Sequence, residues 1–108
     1  MFSYWLVLAV AVVTEILWAM SLKLIQQQPG QWWPIAASVC LTAVNMTLLS
    51  FAMRGIPVGV AYAVWTGLGA VGVAIFGAVY FGDNLNAGQI ASMALVIIGV
   101  VGMKLTTT

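Results

Sequence analysis

The 108-residue sequence predicts an all-α integral membrane fold: four transmembrane helices joined by very short loops. Three observations carry this. Only Glu15, Lys23, Arg54, Asp83 and Lys104 are charged, 5% of the chain, against about 25% in an ordinary soluble domain. Hydrophobic residues make up 64%, and mean hydropathy is +1.14. The uncharged stretches 24–53, 55–82 and 84–103 each reach the roughly 20 apolar residues that a bilayer-spanning helix needs.

Each element follows from its residues. The first span covers about residues 4–25, and Gln26-Gln27-Gln28-Pro29-Gly30-Gln31 is a polar loop broken by Pro-Gly. Trp32-Trp33, an interfacial aromatic pair, opens a second span at about 32–53. Arg54-Gly55-Ile56-Pro57 is a tight connection, with Pro57 suited to the first turn of a third span at 58–81. A turn at 82–86 leads to the fourth span at 87–105 and a Thr106-Thr107-Thr108 stub. Residues 1–108 thus read as one transmembrane domain. The apolar runs are continuous rather than alternating, which excludes a β-barrel. The first span lacks a basic start and carries Glu15 at its centre, so it is no signal peptide.

The same composition excludes several functions. No basic patch supports nucleic-acid binding. With no His, one Cys and two carboxylates, the common metal sites cannot be assembled within one chain, and no cofactor is expected. Cys40 is a small apolar packing residue. The connections hold no extramembrane domain, so function lies inside the bilayer. With alternating helices, Arg54 and Lys104 lie on one side and Lys23 on the other, a weak bias that does not choose an orientation. That balance is compatible with insertion both ways and pairing as an antiparallel dimer. It is equally compatible with one orientation set by the N-terminus or a partner.

Glu15 lies near the midplane. A carboxylate there is costly, and such residues usually serve a proton or ion pathway. The alternative is a buried ion pair. Lys23, eight positions on, is roughly 12 Å away along a helix, and the other basic residues sit at span ends. No cation is placed to neutralise Glu15. Ala11 and Ala19 flank the acid by one turn and leave space for a helix or ligand. Trp18 offers an indole N–H to the carboxylate; its plainer reading is packing.

Ser38, Thr42 and Asn45 form a polar stripe on the second span, expected to face protein. Asn45 either orients Glu15, meets a substrate, or makes a helix–helix hydrogen bond. On the third span Tyr62 and Trp65 lie one turn apart, and Gly69 continues that face. Gly67 and Gly69 lie on different faces and are expected to bend the helix midway, unless they serve packing alone. On the fourth span Gly88 and Ser92 make a small-x-x-x-small pair; Gly99 and Gly102 add small surface, a helix-association face.

Glu15-Ile16-Leu17-Trp18-Ala19, followed by Pro57-Val58-Gly59-Val60-Ala61-Tyr62-Ala63-Val64-Trp65-Thr66-Gly67-Leu68-Gly69-Ala70-Val71-Gly72, resembles the small multidrug resistance family, and within it the guanidinium exporter branch. The resemblance extends to the Gly102-Met103-Lys104-Leu105 ending. It implies a multi-pass protein of the bacterial inner membrane. It also implies an antiparallel, dual-topology homodimer exchanging organic cations for protons. Glu15 would bind both proton and substrate. Trp18, Asn45, Tyr62 and Trp65 would line the site, Gly67 and Gly69 would be the flexible point, and Gly88, Ser92 and Gly99 would pack the dimer. Two features depart from the pattern: Asn45 stands where the branch usually has Ser, and the first loop is Gln-rich.

Three functions are compatible with these residues: a guanidinium/proton antiporter, a broader exporter of quaternary ammonium or lipophilic cations, and a non-transporting membrane assembly subunit. An enzyme has least support, because one acid makes no catalytic constellation.

Overall fold

The computed structural model describes residues 2–107. Four helices carry the fold: α1 (Phe2–Gln27), α2 (Trp33–Ala52), α3 (Val58–Tyr80) and α4 (Ala87–Thr106). Each is long and apolar enough to cross a membrane, and no strand occurs among the described residues. The chain is a multi-pass all-α membrane protein. Thr106 closes α4 and Thr107 caps it, while Thr108 lies outside the described residues.

The connections are as tight as the Gly and Pro positions demand. Gly30 and Gly82 hold φ of +87° and +74°, the left-handed region that side chains disfavour. Pro34 lies in the first turn of α2, where its missing N–H costs nothing. Pro57 stands one residue earlier than expected, as the cap of α3; its extended ψ of 141° keeps it outside the helix. Its carbonyl still accepts from Ala61 N at 2.9 Å. At the start of α4, Asn86 accepts from Gln89 N at 2.8 Å and its own N–H donates to Gln89 Oε1 at 3.0 Å. This reciprocal capping box satisfies two otherwise orphaned donors.

The helices are ordered α2–α1–α3–α4 across a flattened protomer of 48 × 35 × 17 Å. α1 packs between α2 and α3; α4 lies along α3, reaches α1 through Lys104 at Trp5, and has no buried residue. The core gathers at one end, where Leu8, Leu49, Ala52, Ile56, Ala61 and Val64 come together. Gly55 belongs to the same end: a Cβ there would run into the Tyr4 ring.

Each basic residue sits over an aromatic ring at a span end. Arg54 Cζ is 5.3 Å from the Phe51 ring and Lys104 Nζ 4.7 Å from the Trp5 ring. Phe51 lies beside Tyr4, so both cations mark the same end. Lys23 Nζ, 6.0 Å from the Phe81 ring, marks the other. From Trp5 to Lys23 is about 27 Å of helix at 1.5 Å per residue, close to the hydrocarbon thickness. The charged heads thus rest over rings at the two ends of the spans.

Candidate functional site

Glu15 lies midway along α1, flanked on its face by Ala11, which is fully buried, and by half-buried Ala19. These small residues bring α3 close. The carboxyl of Glu15 rests on Gly69, where a Cβ would fall on Oε1. One turn further, Gly72 receives Ile16 in the same way. Oε1 is buried and has no hydrogen-bond partner. The buried Nε1–H of Trp65, one turn before Gly69 on α3, also has none. An unpaired acceptor and an unpaired donor therefore face the interior of a membrane protein, where each is costly to leave unmade.

Tyr62 and Trp65 form a tilted aromatic pair, their ring centroids 5.6 Å apart at 45°. Tyr62 remains 54% exposed in the protomer. Gly67 faces the opposite way from Gly69: a Cβ there would lie 3.1 Å from methyls of Val96 and Val100 on α4. α3 runs as one continuous helix through both glycines. Each glycine accommodates a neighbour, α1 at Gly69 and α4 at Gly67.

Three further expectations change. Trp18 makes no indole hydrogen bond to the acid; Glu15 Oε1 is unpartnered, and Trp18 contributes its carbonyl to Ser21 Oγ at 2.5 Å. The Ser38–Thr42–Asn45 stripe does not act as a unit. The Ser38 and Thr42 hydroxyls donate to the carbonyls of Ile35 and Ser38 in their own helix, at 3.3 and 2.8 Å, and Thr42 is exposed. Self-satisfied hydroxyls need no facing protein. Asn45 alone turns inward, 2% exposed, but accepts from the Thr14 hydroxyl and makes no hydrogen bond to Glu15. Glu15 has turned toward α3 and Asn45 meets α1 at Thr14, about 100° round the helix.

Thr14 is the partner of Asn45 that sequence reasoning missed. Its one signal was a hydroxyl adjacent to the midplane acid, and nothing in the sequence pairs it with a residue 31 positions away. On α4, Ser92 Oγ donates to Gly88 O at 2.9 Å, while Gly99 and Gly102 meet nothing. The protomer therefore presents an open small-residue surface on its least-packed helix.

Four spanning helices with one unpartnered acid midway along α1 define a small multi-pass membrane protein. Residues 3–96 match the family model for the Small Multidrug Resistance protein. A Guanidinium exporter of Escherichia coli (strain K12) is 44% identical over 103 residues, covering 95% of this chain and 97% of the relative. One from Proteus vulgaris is 42% identical over 95% and 98%, and one from Citrobacter freundii 40% identical over 95% and 97%. The chain belongs to the small multidrug resistance family, as a multi-pass protein of the bacterial inner membrane.

Proposed function

We propose that the protein exports guanidinium ions in exchange for protons, with Glu15 as the shared binding group of an antiparallel homodimer. The observation that carries this reading is the buried, unpartnered Glu15 Oε1 against Gly69. The relatives' name supplies the cation. A carboxylate in that position needs a positive partner, and the nearest lysine along its helix, Lys23, lies over Phe81 instead. A guanidinium ion is planar, and its N–H donors pair with carboxylate oxygens in bidentate fashion. Two Glu15 side chains brought together by antiparallel pairing would hold one such ion between them.

Protonation removes the charge and the acceptor that bind the cation, so the two ligands compete. Competition couples export to the proton gradient, provided the empty charged site rarely changes face. The unpaired Trp65 N–H stands one turn from the acid as a donor for its ionised form. The Tyr62–Trp65 rings and Trp18 would form apolar and cation–π walls. Gly67 and Gly69 would let α3 shift against α4 and α1 as the site changes face, and Gly88, Ser92 and Gly99 would pack the α4 helices of the dimer.

Purified protein in liposomes with an acidic interior should accumulate guanidinium as protons leave. Glu15→Gln should abolish uptake while the dimer persists; undiminished uptake in that variant would refute the mechanism. The relatives' name favours guanidinium over a broader cation range. Tetrapropylammonium in the same assay tests this, with little or no transport expected.

A further inference from the structure

We propose that Thr14 is a positioning residue for cation selectivity: its hydroxyl holds the Asn45 carbonyl on the α1–α2 seam, so that Asn45 offers the cation site no second acceptor. The inference rests on the reading that Glu15 binds the cation, and it concerns which other groups reach that cation.

Among the described residues, the Thr14–Asn45 bond is the one hydrogen bond between side chains of two helices. Every other threonine or serine hydroxyl recorded as donating turns back to a carbonyl of its own helix region. Thr14 has one proton and two acceptors in reach, Ala11 O at 2.9 Å and Asn45 Oδ1. Ala11 O is also the helical acceptor for Glu15 N–H, four residues on. It is thus satisfied without Thr14, whereas buried Asn45 Oδ1 depends on it.

A primary amide carries its acceptor and its donors on one group, and rotation about the last side-chain bond exchanges them. The lock therefore has a chemical consequence. With Oδ1 on Thr14, the Asn45 amide contributes no oxygen to a cation bound at Glu15. Once released, the amide can turn that oxygen toward an ion with N–H donors. Guanidinium has such donors; tetramethylammonium has none. Thr14 lies one residue before Glu15 in sequence but on the α2-facing side, so it acts through Asn45 and not on the ion.

The test measures KM, or the inhibition constant where transport is slow, for guanidinium and tetramethylammonium in liposomes. Thr14→Val preserves shape and removes the hydroxyl. It should improve guanidinium relative to tetramethylammonium by about tenfold, the worth of one hydrogen bond to a charged group. Thr14→Ser should restore the original ratio. In an Asn45→Ala background, Thr14→Val should leave the ratio where Asn45→Ala alone puts it. An unchanged or lowered ratio in Thr14→Val overturns the proposal, as does a shift that persists without Asn45. If the wild-type protein binds neither ion, the proposed function fails, and the lock is read from thermal unfolding of the same four-member cycle. Non-additive losses support it and additive losses overturn it.

Discussion

Glu15 of α1 rests on Gly69 of α3 with no room for a Cβ between them. Gly67, two residues earlier, faces α4, where Val96 and Val100 lie 3.1 Å from a built Cβ. The pair separates two roles for these glycines. If close approach matters, Gly69→Ala displaces the acid and lowers guanidinium turnover by about tenfold or more, the cost of a misplaced binding group. Gly67→Ala shifts valine methyls by a few tenths of an ångström and lowers turnover less than threefold by the same scale. Equal losses in both variants would instead indicate that α3 must flex.

Proton competition sets the pH dependence of binding. Protons occupy Glu15 as pH falls, so guanidinium weakens on acidification. Within the titration range its apparent Kd should rise by up to about tenfold per pH unit for each proton displaced. Calorimetry on detergent-solubilised protein at several pH values checks both sign and slope. A Kd independent of pH would separate the proton from the cation site.

Trp65 carries a buried N–H without a partner in the protomer. Trp65→Phe removes that donor along with part of the ring. Thermal stability should change little, because no hydrogen bond is lost from the resting protein. KM for guanidinium should rise about tenfold if the N–H stabilises the ionised carboxylate. A large loss of stability with unaltered KM would assign the indole to packing.

A Cβ on Gly99 of α4 would meet open space, and α4 buries no residue in the protomer. Gly99→Leu should therefore leave the individual chain folded, with helix content by circular dichroism unaltered. It should weaken self-association, read as a lower yield of cross-linked dimer in lipid. A full yield of dimer would remove this stripe from the interface. A C-terminal tag accessible on both sides of the membrane is the matching expectation for antiparallel pairing.

Much of the architecture was legible in the residues. Five charges and the Gly and Pro positions placed four spans and their turns to within one or two residues, because hydrocarbon thickness and backbone satisfaction leave few alternatives. The N-cap of α4 was legible too, as Asn86 three residues before Gln89. Glu15 stood out by cost alone. Its surroundings were less legible: a polar residue in a span declares that it needs a partner, but not which one. Ser38 and Thr42 satisfied themselves within α2, Trp18 did not reach the acid, and Asn45 found Thr14.

By itself, then, the sequence determined a membrane protein of four helices with one costly acid at mid-depth, since both follow from transfer free energies along a single chain. Only the tertiary structure decided that Gly69 receives the acid, that Gly67 receives α4, and that Thr14 takes the Asn45 carbonyl. Those pairings depend on the rotation and register of helices far apart in sequence. Periodicity shows which residues share a face, but packing selects what that face meets.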